Sequence, residues 1–290
     1  MQKKKEIKRK EIKRKEVKSF RYALLVPAAA AVLWAAQPVQ CFAAPVIAAF
    51  PEGGRTGESS GGPGVNGKSV SGTETEAGFD ADRFVLPKEA RVLVVVEGTG
   101  GSRCRVYAYE RSESGWEQRL ETEGYLGLNG MSNHRISGDK TTPIGVFQMN
   151  TPFGQDDPLE GFPSNYLKVK ESHVWTDDTN VMVDDASAVG EHVGTFWYDE
   201  YYDYAIDAGF NRNGIAGQGS ALFLHCIGQG KDYTSGCVAI PKDQMIAVMR
   251  LYGRYGDGAC YIAQAPKGTF AQIYDTYGVN QGLSPDGDFE

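Results

Sequence analysis

The stretch His225–Asp243, HCIGQGKDYTSGCVAIPKD, places a histidine, an adjacent cysteine and a second cysteine behind a glycine in one short window. Such groups serve three chemistries: a tetrahedral metal site, a disulfide, or a thiol nucleophile with an imidazole base. Strand alternation separates the first two groups. With Ala221–Ile227 as a strand, Ala221, Phe223, His225 and Ile227 share one face and Leu222, Leu224 and Cys226 the other. His225 and Cys226 then point apart, so a zinc site using both would need irregular backbone. No Cys-x-x-Cys or His-x-x-x-His pair exists elsewhere to complete one. No metal or other cofactor is expected. Cys226, beside two leucines, reads as a buried and inert thiol.

Cys237 follows the turn-prone residues Tyr233-Thr234-Ser235-Gly236, and glycine before it permits a close backbone approach or a special φ. The chain between His225 and Cys237 is long enough to leave the strand and return, bringing sulfur to imidazole. A free thiol has a pKa of ~8.5, so little thiolate exists at neutral pH. An imidazole can take the thiol proton and later deliver one to a leaving amine. Backbone N–H groups around Ser235 and Gly236 are candidate oxyanion donors, since that task needs no side chain. The rival reading makes Cys237 a structural thiol or half of a disulfide. Cys104, Cys226, Cys237 and Cys260 lie beyond the N-terminal segment and allow three pairings. With Cys226 buried and Cys237 reactive, Cys104–Cys260 is the pair that remains, linking two predicted strands.

The elements that must position these groups are mostly strands. Arg91–Gly98, Arg103–Ser112 and Trp116–Gly124 read as neighbouring strands, with further strands at Gly145–Met149, Tyr204–Phe210, Ala221–Ile227 and Ala259–Ala263. One helix is convincing. Met245, Val248, Met249 and Tyr252 follow helical spacing, Pro241 suits its first turn and Gly253 its stop. Many strands with one or two short helices predict a mainly-β fold, a sandwich or a strongly curved sheet.

The net charge of −7 conceals an asymmetry. Residues 1–21 hold 11 of the 30 Lys/Arg and 3 of the 37 Asp/Glu, so the remainder carries 19 basic against 34 acidic side chains. An acidic body is a poor partner for nucleic acid. The basic head runs into YALLVPAAAAVLWAA, the form of a secretory signal with cleavage after Ala43, or of an uncleaved membrane anchor. Residues 1–43 are therefore expected to direct export to the extracytoplasmic cell envelope, where disulfides persist. Residues 44–78, rich in Gly, Ser and Glu, suit a flexible linker. Residues 79–277 form the expected folded domain, and 278–290 a loose tail.

The window resembles the active-site signature of the L,D-transpeptidases, in which a histidine precedes a [Ser/Thr]-x-Gly-Cys motif, here Thr234-Ser235-Gly236-Cys237. Other stretches match in the same order. Gly138, Asp139, Thr142, Pro143 and Gly145 resemble the family's entry segment, HVWTDD precedes the middle strands, and GFNRNGIAGQGSALFLHC leads into the histidine strand. The resemblance covers roughly residues 92–263. It implies a β-sandwich-like catalytic domain acting on peptidoglycan stem peptides. Cys237 would attack the carbonyl of the diamino acid at the third stem position, releasing D-Ala and leaving a thioester. An acceptor amine then forms a 3→3 cross-link, whereas water trims the stem, an L,D-carboxypeptidase outcome. His225 would be base and acid, Cys226 would orient it through its backbone carbonyl, Ser235 and Gly236 would serve the oxyanion, and Tyr233 and Thr234 would contact substrate. The chain departs from the family at Ser235, where many members have histidine, and at Ala239, where they have arginine. A non-catalytic wall-binding module of this fold and an exported thiol hydrolase with another substrate are the competing readings.

Of the remaining candidates, His134 reads as a solvated loop residue, and His173 and His192 as structural or exposed. The aromatic run Phe196–Tyr204 suits packing between strands more than a peptide groove. Asp177, Asp178, Asp184 and Asp185 lack the order of an EF-hand loop and read as acidic surface.

Overall fold

The computed structural model describes residues 78–198 and 200–277, all within one compact unit of the chain, Lys68–Glu290. The expected signal or anchor, nearly all of the linker and the tail lie outside the described residues. No described helix is long and apolar enough to cross a membrane.

The fold is mainly β. Three long strands come first: β1 (Val92–Gly100), β2 (Arg103–Ser112) and β3 (Gly115–Tyr125). Short strands follow: β4 (Met131–Ser132), β5 (Thr142–Pro143), β6 (Gly145–Gln148), β7 (Asn150–Gly154), β8 (Leu167–Lys168), β9 (His173–Thr176), β10 (Met182–Asp184) and β11 (Gly190–Glu191). The chain closes with β12 (Ala205–Asp207), β13 (Phe223–Cys226), β14 (Val238–Ile240), the helix α1 (Lys242–Tyr255) and β15 (Cys260–Pro266). Ten strands form one mixed sheet in the order β6-β15-β1-β2-β3-β14-β13-β12-β7-β8. β6 and β7 lie near opposite ends of that order, yet only Met149 separates them in sequence. The sheet must therefore curl until its ends meet.

The reason for the curl is visible in β1. Its first seven residues are all buried, as a strand covered on both faces requires. Val92, Val94 and Val96 face an inner core shared with Leu224, Cys226, Val238 and Ile240, and with Met245, Val248, Met249 and Tyr252 of α1. Leu93 and Val95 face a second core built from Tyr107, Tyr109, Tyr261 and Phe270. Each large apolar side chain buried this way contributes about 1.5–3 kcal/mol, and the inner core is filled only if the sheet wraps α1.

The helix runs past its expected stop. Gly253 lies inside α1, where a Cβ would stand 2.3 Å from the Gly161 carbonyl oxygen, so this glycine serves a close approach. The helix ends instead at Gly256, whose φ of 76° no ordinary side chain favours. Pro241 occupies the N-cap rather than the first turn.

The Cys104–Cys260 bridge does not form: both thiols are free and buried, as are Cys226 and Cys237. Along β1, Cys260 stands beside Val92 and Cys104 beside Gly98. Six residues of strand separate those positions by about 20 Å, far beyond the Cα separation of ~7 Å that a disulfide tolerates.

Candidate active site

β13 and β14 are parallel neighbours in the register Leu224↔Val238, His225↔Ala239 and Cys226↔Ile240, which places His225 and Cys237 on adjacent segments, two register positions apart. Cys237 immediately precedes β14 and so arrives beside the start of β13. Its Sγ donates to the Ala221 carbonyl and accepts from the Phe223 N–H, each at 3.3 Å. Regular alternation fails at this point. Ala221 has a φ of 54°, and Leu222 joins Ala221, Phe223 and Cys237 in one apolar cluster instead of turning to the opposite face. From Phe223 onward the expected alternation holds. Cys226 enters the inner core with its thiol on the Tyr204 carbonyl at 3.5 Å, and burial pushes that thiol up to about 12.

His225 is buried under aromatic rings. Tyr202 meets it edge-on with centroids 5.4 Å apart, and Tyr201 at 6.2 Å. Its Nδ1 lies 2.8 Å from the Cys226 carbonyl oxygen. With the proton on Nδ1 donated to that carbonyl, Nε2 is the basic nitrogen. Burial drives the imidazole down to about 4, against the Cys226 and Tyr201 backbone contacts that favour the charged ring. Burial likewise drives the Cys237 thiol up to about 12. At neutral pH the site therefore holds a thiol and a neutral imidazole, with the thiol proton directed at Ala221 rather than at the ring.

The turn before Cys237 is internally bonded. Thr234 Oγ1 accepts from the Gly236 N–H at 3.0 Å and donates to the Cys237 carbonyl at 2.7 Å. Thr234 is thus engaged in shaping the turn, and the Gly236 N–H is engaged by Thr234. Ser235 is exposed while Gly236 is buried. Tyr233 is half-buried, with the Lys231 amine 5.8 Å from its ring centroid. The loop between His225 and Cys237 is pinned at both ends: Tyr201 Oη donates to the Gln229 carbonyl and Ser102 Oγ to that of Asp232. The entry segment docks on the same turn. Thr142 Oγ1 accepts from the Gly127 N–H at 2.9 Å and reaches the Cys237 carbonyl at 3.5 Å.

Four residues outside the expected set complete the site. Asn180, with a φ of 53°, accepts from Trp175 Nε1 and the Ala221 N–H and donates to the Phe210 and Asn211 carbonyls. It holds the backbone on which the Cys237 thiol rests. Arg135 packs against Gly236. Glu191 accepts a short hydrogen bond from Tyr202 Oη, and burial raises its carboxyl to about 7. Burial also raises Asp207 to about 7, although the Gly209 N–H and Asn150 Nδ2, the latter at 2.6 Å, favour its anion. No local pattern marks these residues, because each acquires its role from segments distant in sequence.

Of the other histidines, His173 accepts the Lys170 N–H at 2.8 Å and is structural, and His134 is exposed. The aromatic run divides: Tyr201 and Tyr202 wall His225, whereas Phe196 and Trp197 are exposed. Among the described residues no group of three or more His, Cys, Asp or Glu side chains is arranged to hold a metal ion.

Glu191 makes the fold sensitive to pH. An unfolded glutamate ionises near 4.3, whereas the folded carboxyl keeps its proton to about 7. Its contribution is complete below the unfolded value and is lost as pH rises through the folded one. Glu191→Gln should remove this dependence. The melting temperature of the variant is expected to gain on the wild type as pH rises from 4.5 to 7.5, corresponding to about 1–3 kcal/mol. Parallel melting curves across that range would refute the assignment.

No protein-family model matches the chain, and a comparison with curated proteins finds no match.

Proposed function

We propose that the chain is a cysteine acyltransferase of the L,D-transpeptidase type, exported to the cell envelope and acting on peptidoglycan stem tetrapeptides. The observation that carries this reading is the convergence of three separated motifs on one turn. The histidine strand supplies an imidazole oriented by the Cys226 carbonyl. The Thr-Ser-Gly-Cys turn supplies the thiol on the neighbouring strand. The Thr142-Pro143 segment bonds to the carbonyl of that same cysteine. The β-sandwich-like transpeptidase domain belongs to this reading as well, the mainly-β curved sheet being its coarser basis.

In the proposed reaction Sγ attacks the carbonyl before the terminal D-Ala while its proton passes to His225 Nε2. The imidazolium returns that proton to the departing amine, leaving a thioester on Cys237. With the Gly236 N–H engaged in the turn, oxyanion stabilisation falls to the N–H groups of Ser235 and Cys237. An acceptor amine then completes a cross-link, or water completes stem trimming.

The test is incubation of the 290-residue chain with a disaccharide-tetrapeptide or a carbapenem, followed by intact mass and peptide mapping. The expected product is an adduct on Cys237, with loss of D-Ala from the tetrapeptide. An unmodified Cys237 after prolonged incubation, or one held in a disulfide of the secreted protein, would overturn the proposal.

A further inference from the structure

The position two residues beyond the cysteine, where the resembled signature has arginine, is Ala239 here, buried and paired with His225. A cation reaches the site from another segment. Arg135, on the loop before β5, is only 8% exposed. Its Nε donates to the Gln218 carbonyl at 3.2 Å, its Nη1 donates to the Thr141 carbonyl, and Asp139 lies 3.6 Å from Nη1. Two glycines make room for it beside the nucleophile. A Cβ on Gly236 would stand 2.5 Å from Nη1, and one on Gly219 would stand 2.9 Å from Nη2.

The surrounding charges give this guanidinium a distinctive place. Asp139 accepts from the Ile136 N–H at 2.9 Å, the Thr141 N–H at 2.8 Å and the Thr141 hydroxyl at 2.9 Å. Its charge is therefore spread over three donors besides Arg135. The other ionisable groups that act on Cys237 are Glu191 of β11 and Asp207 of β12, with the Tyr198 and Tyr202 hydroxyls. When ionised, the two carboxyls oppose a thiolate, whereas Arg135 favours it. His225 on β13 is buried and neutral. Burying a guanidinium carries a desolvation cost, which a single shared carboxylate offsets only in part.

We propose that Arg135 is the counter-charge of Cys237. When the S–H bond breaks, the proton passes to His225 Nε2, and the electron pair stays on Sγ beside the Arg135 guanidinium. Arg135 acts through Cys237 and is a positioning residue. The inference rests on Cys237 being the nucleophile, but its test needs no wall substrate.

The test is alkylation of Cys237 by iodoacetamide in the 290-residue chain from pH 6 to 10, read by mass mapping of the Cys237 peptide. Wild type is compared with Arg135→Gln, Arg135→Met and Arg135→Lys, with circular dichroism to verify folding. The two neutral variants remove the charge in a polar and an apolar way, so failure of one to fold leaves the other. The expected result is a rate profile displaced by about one pH unit or more to higher pH in the neutral variants, roughly tenfold slower at pH 8. Arg135→Lys should lie between them and wild type. Burial holds the thiol near 12, so the profile rises through the whole range and a displacement reads as a rate change at every pH. Rescue by lysine then separates a lost charge from a purely structural role, which would slow all three variants alike. A folded neutral variant whose profile coincides with wild type or moves to lower pH overturns the proposal, as does a lysine variant indistinguishable from glutamine. If the proposal fails while the tetrapeptide still acylates Cys237, the functional reading stands without it.

Discussion

Alanine at position 237 is expected to abolish the covalent product formed with a disaccharide-tetrapeptide, and alanine at position 225 to slow its appearance by about 10²–10⁴-fold. The two losses differ in kind. Without Sγ no bond to the acyl carbon can form, so Cys237→Ala should leave no adduct at any time. Without the imidazole the thiol remains, but burial holds it near 12, and the proton must leave without a positioned acceptor. The pH dependence carries a further signature. Because burial holds His225 near 4, its basic form is present well below the usual histidine range. The acid limb of wild-type acylation should therefore fall near pH 4–5 rather than near ~6.5. A time course of intact mass against pH checks all three statements. An adduct persisting in Cys237→Ala, or an unchanged rate in His225→Ala, would remove these residues from their roles.

Asn180→Ala is expected to be the most damaging single change to the floor of the site, at about 3–5 kcal/mol by denaturant unfolding. The side chain satisfies four groups at once: Trp175 Nε1 at 2.7 Å, the Ala221 N–H at 3.1 Å, and the Phe210 and Asn211 carbonyls at 2.8 and 2.9 Å. Trp175 is 2% exposed, so its indole N–H has no water to replace the amide, and an unpaired buried donor costs about 1–3 kcal/mol. The backbone adds its own penalty, since alanine tolerates the φ of 53° poorly. Asn180→Gly keeps that φ available while removing the amide, and should recover about 1 kcal/mol of the loss. The difference between the two variants separates strain from hydrogen bonding. Equal stability of Asn180→Ala and wild type would show that the amide is dispensable. Because Ala221 carries the carbonyl on which the Cys237 thiol rests, both variants should also alter acylation.

Much of the scaffold was legible in local pattern. Arg91–Gly98 read as a strand and forms most of β1, and the expected strand Arg103–Ser112 coincides with β2. The buried face of α1, Met245, Val248, Met249 and Tyr252, follows the 3.6-residue period. Legibility ended where long-range approach decides. Gly253 looked like a helix stop because isolated glycine breaks helices, yet α1 passes through it to meet the Gly161 carbonyl. Strand alternation located the faces of His225 and Cys226 but missed the left-handed Ala221, which Asn180 holds from another segment. The elimination that left Cys104 with Cys260 took no account of register, and β1 holds the two thiols at opposite ends.

By itself the sequence determined which atoms could react and which faces would be buried, because side-chain chemistry is intrinsic and periodicity is a property of a few neighbouring residues. Cys237 and His225 were singled out by their own chemistry and spacing, and the backbone carbonyl at Cys226 by the resemblance to the L,D-transpeptidases. Only the tertiary structure decided their charge states and companions. It made β13 and β14 neighbours, closed Tyr202 over the imidazole, and brought Arg135 against Gly236, Asn180 to the Ala221 backbone and Glu191 to Tyr202. The physical reason is that desolvation and Coulomb interactions depend on distance through space and on the exclusion of water. Neither quantity exists until the sheet has curled around its helix.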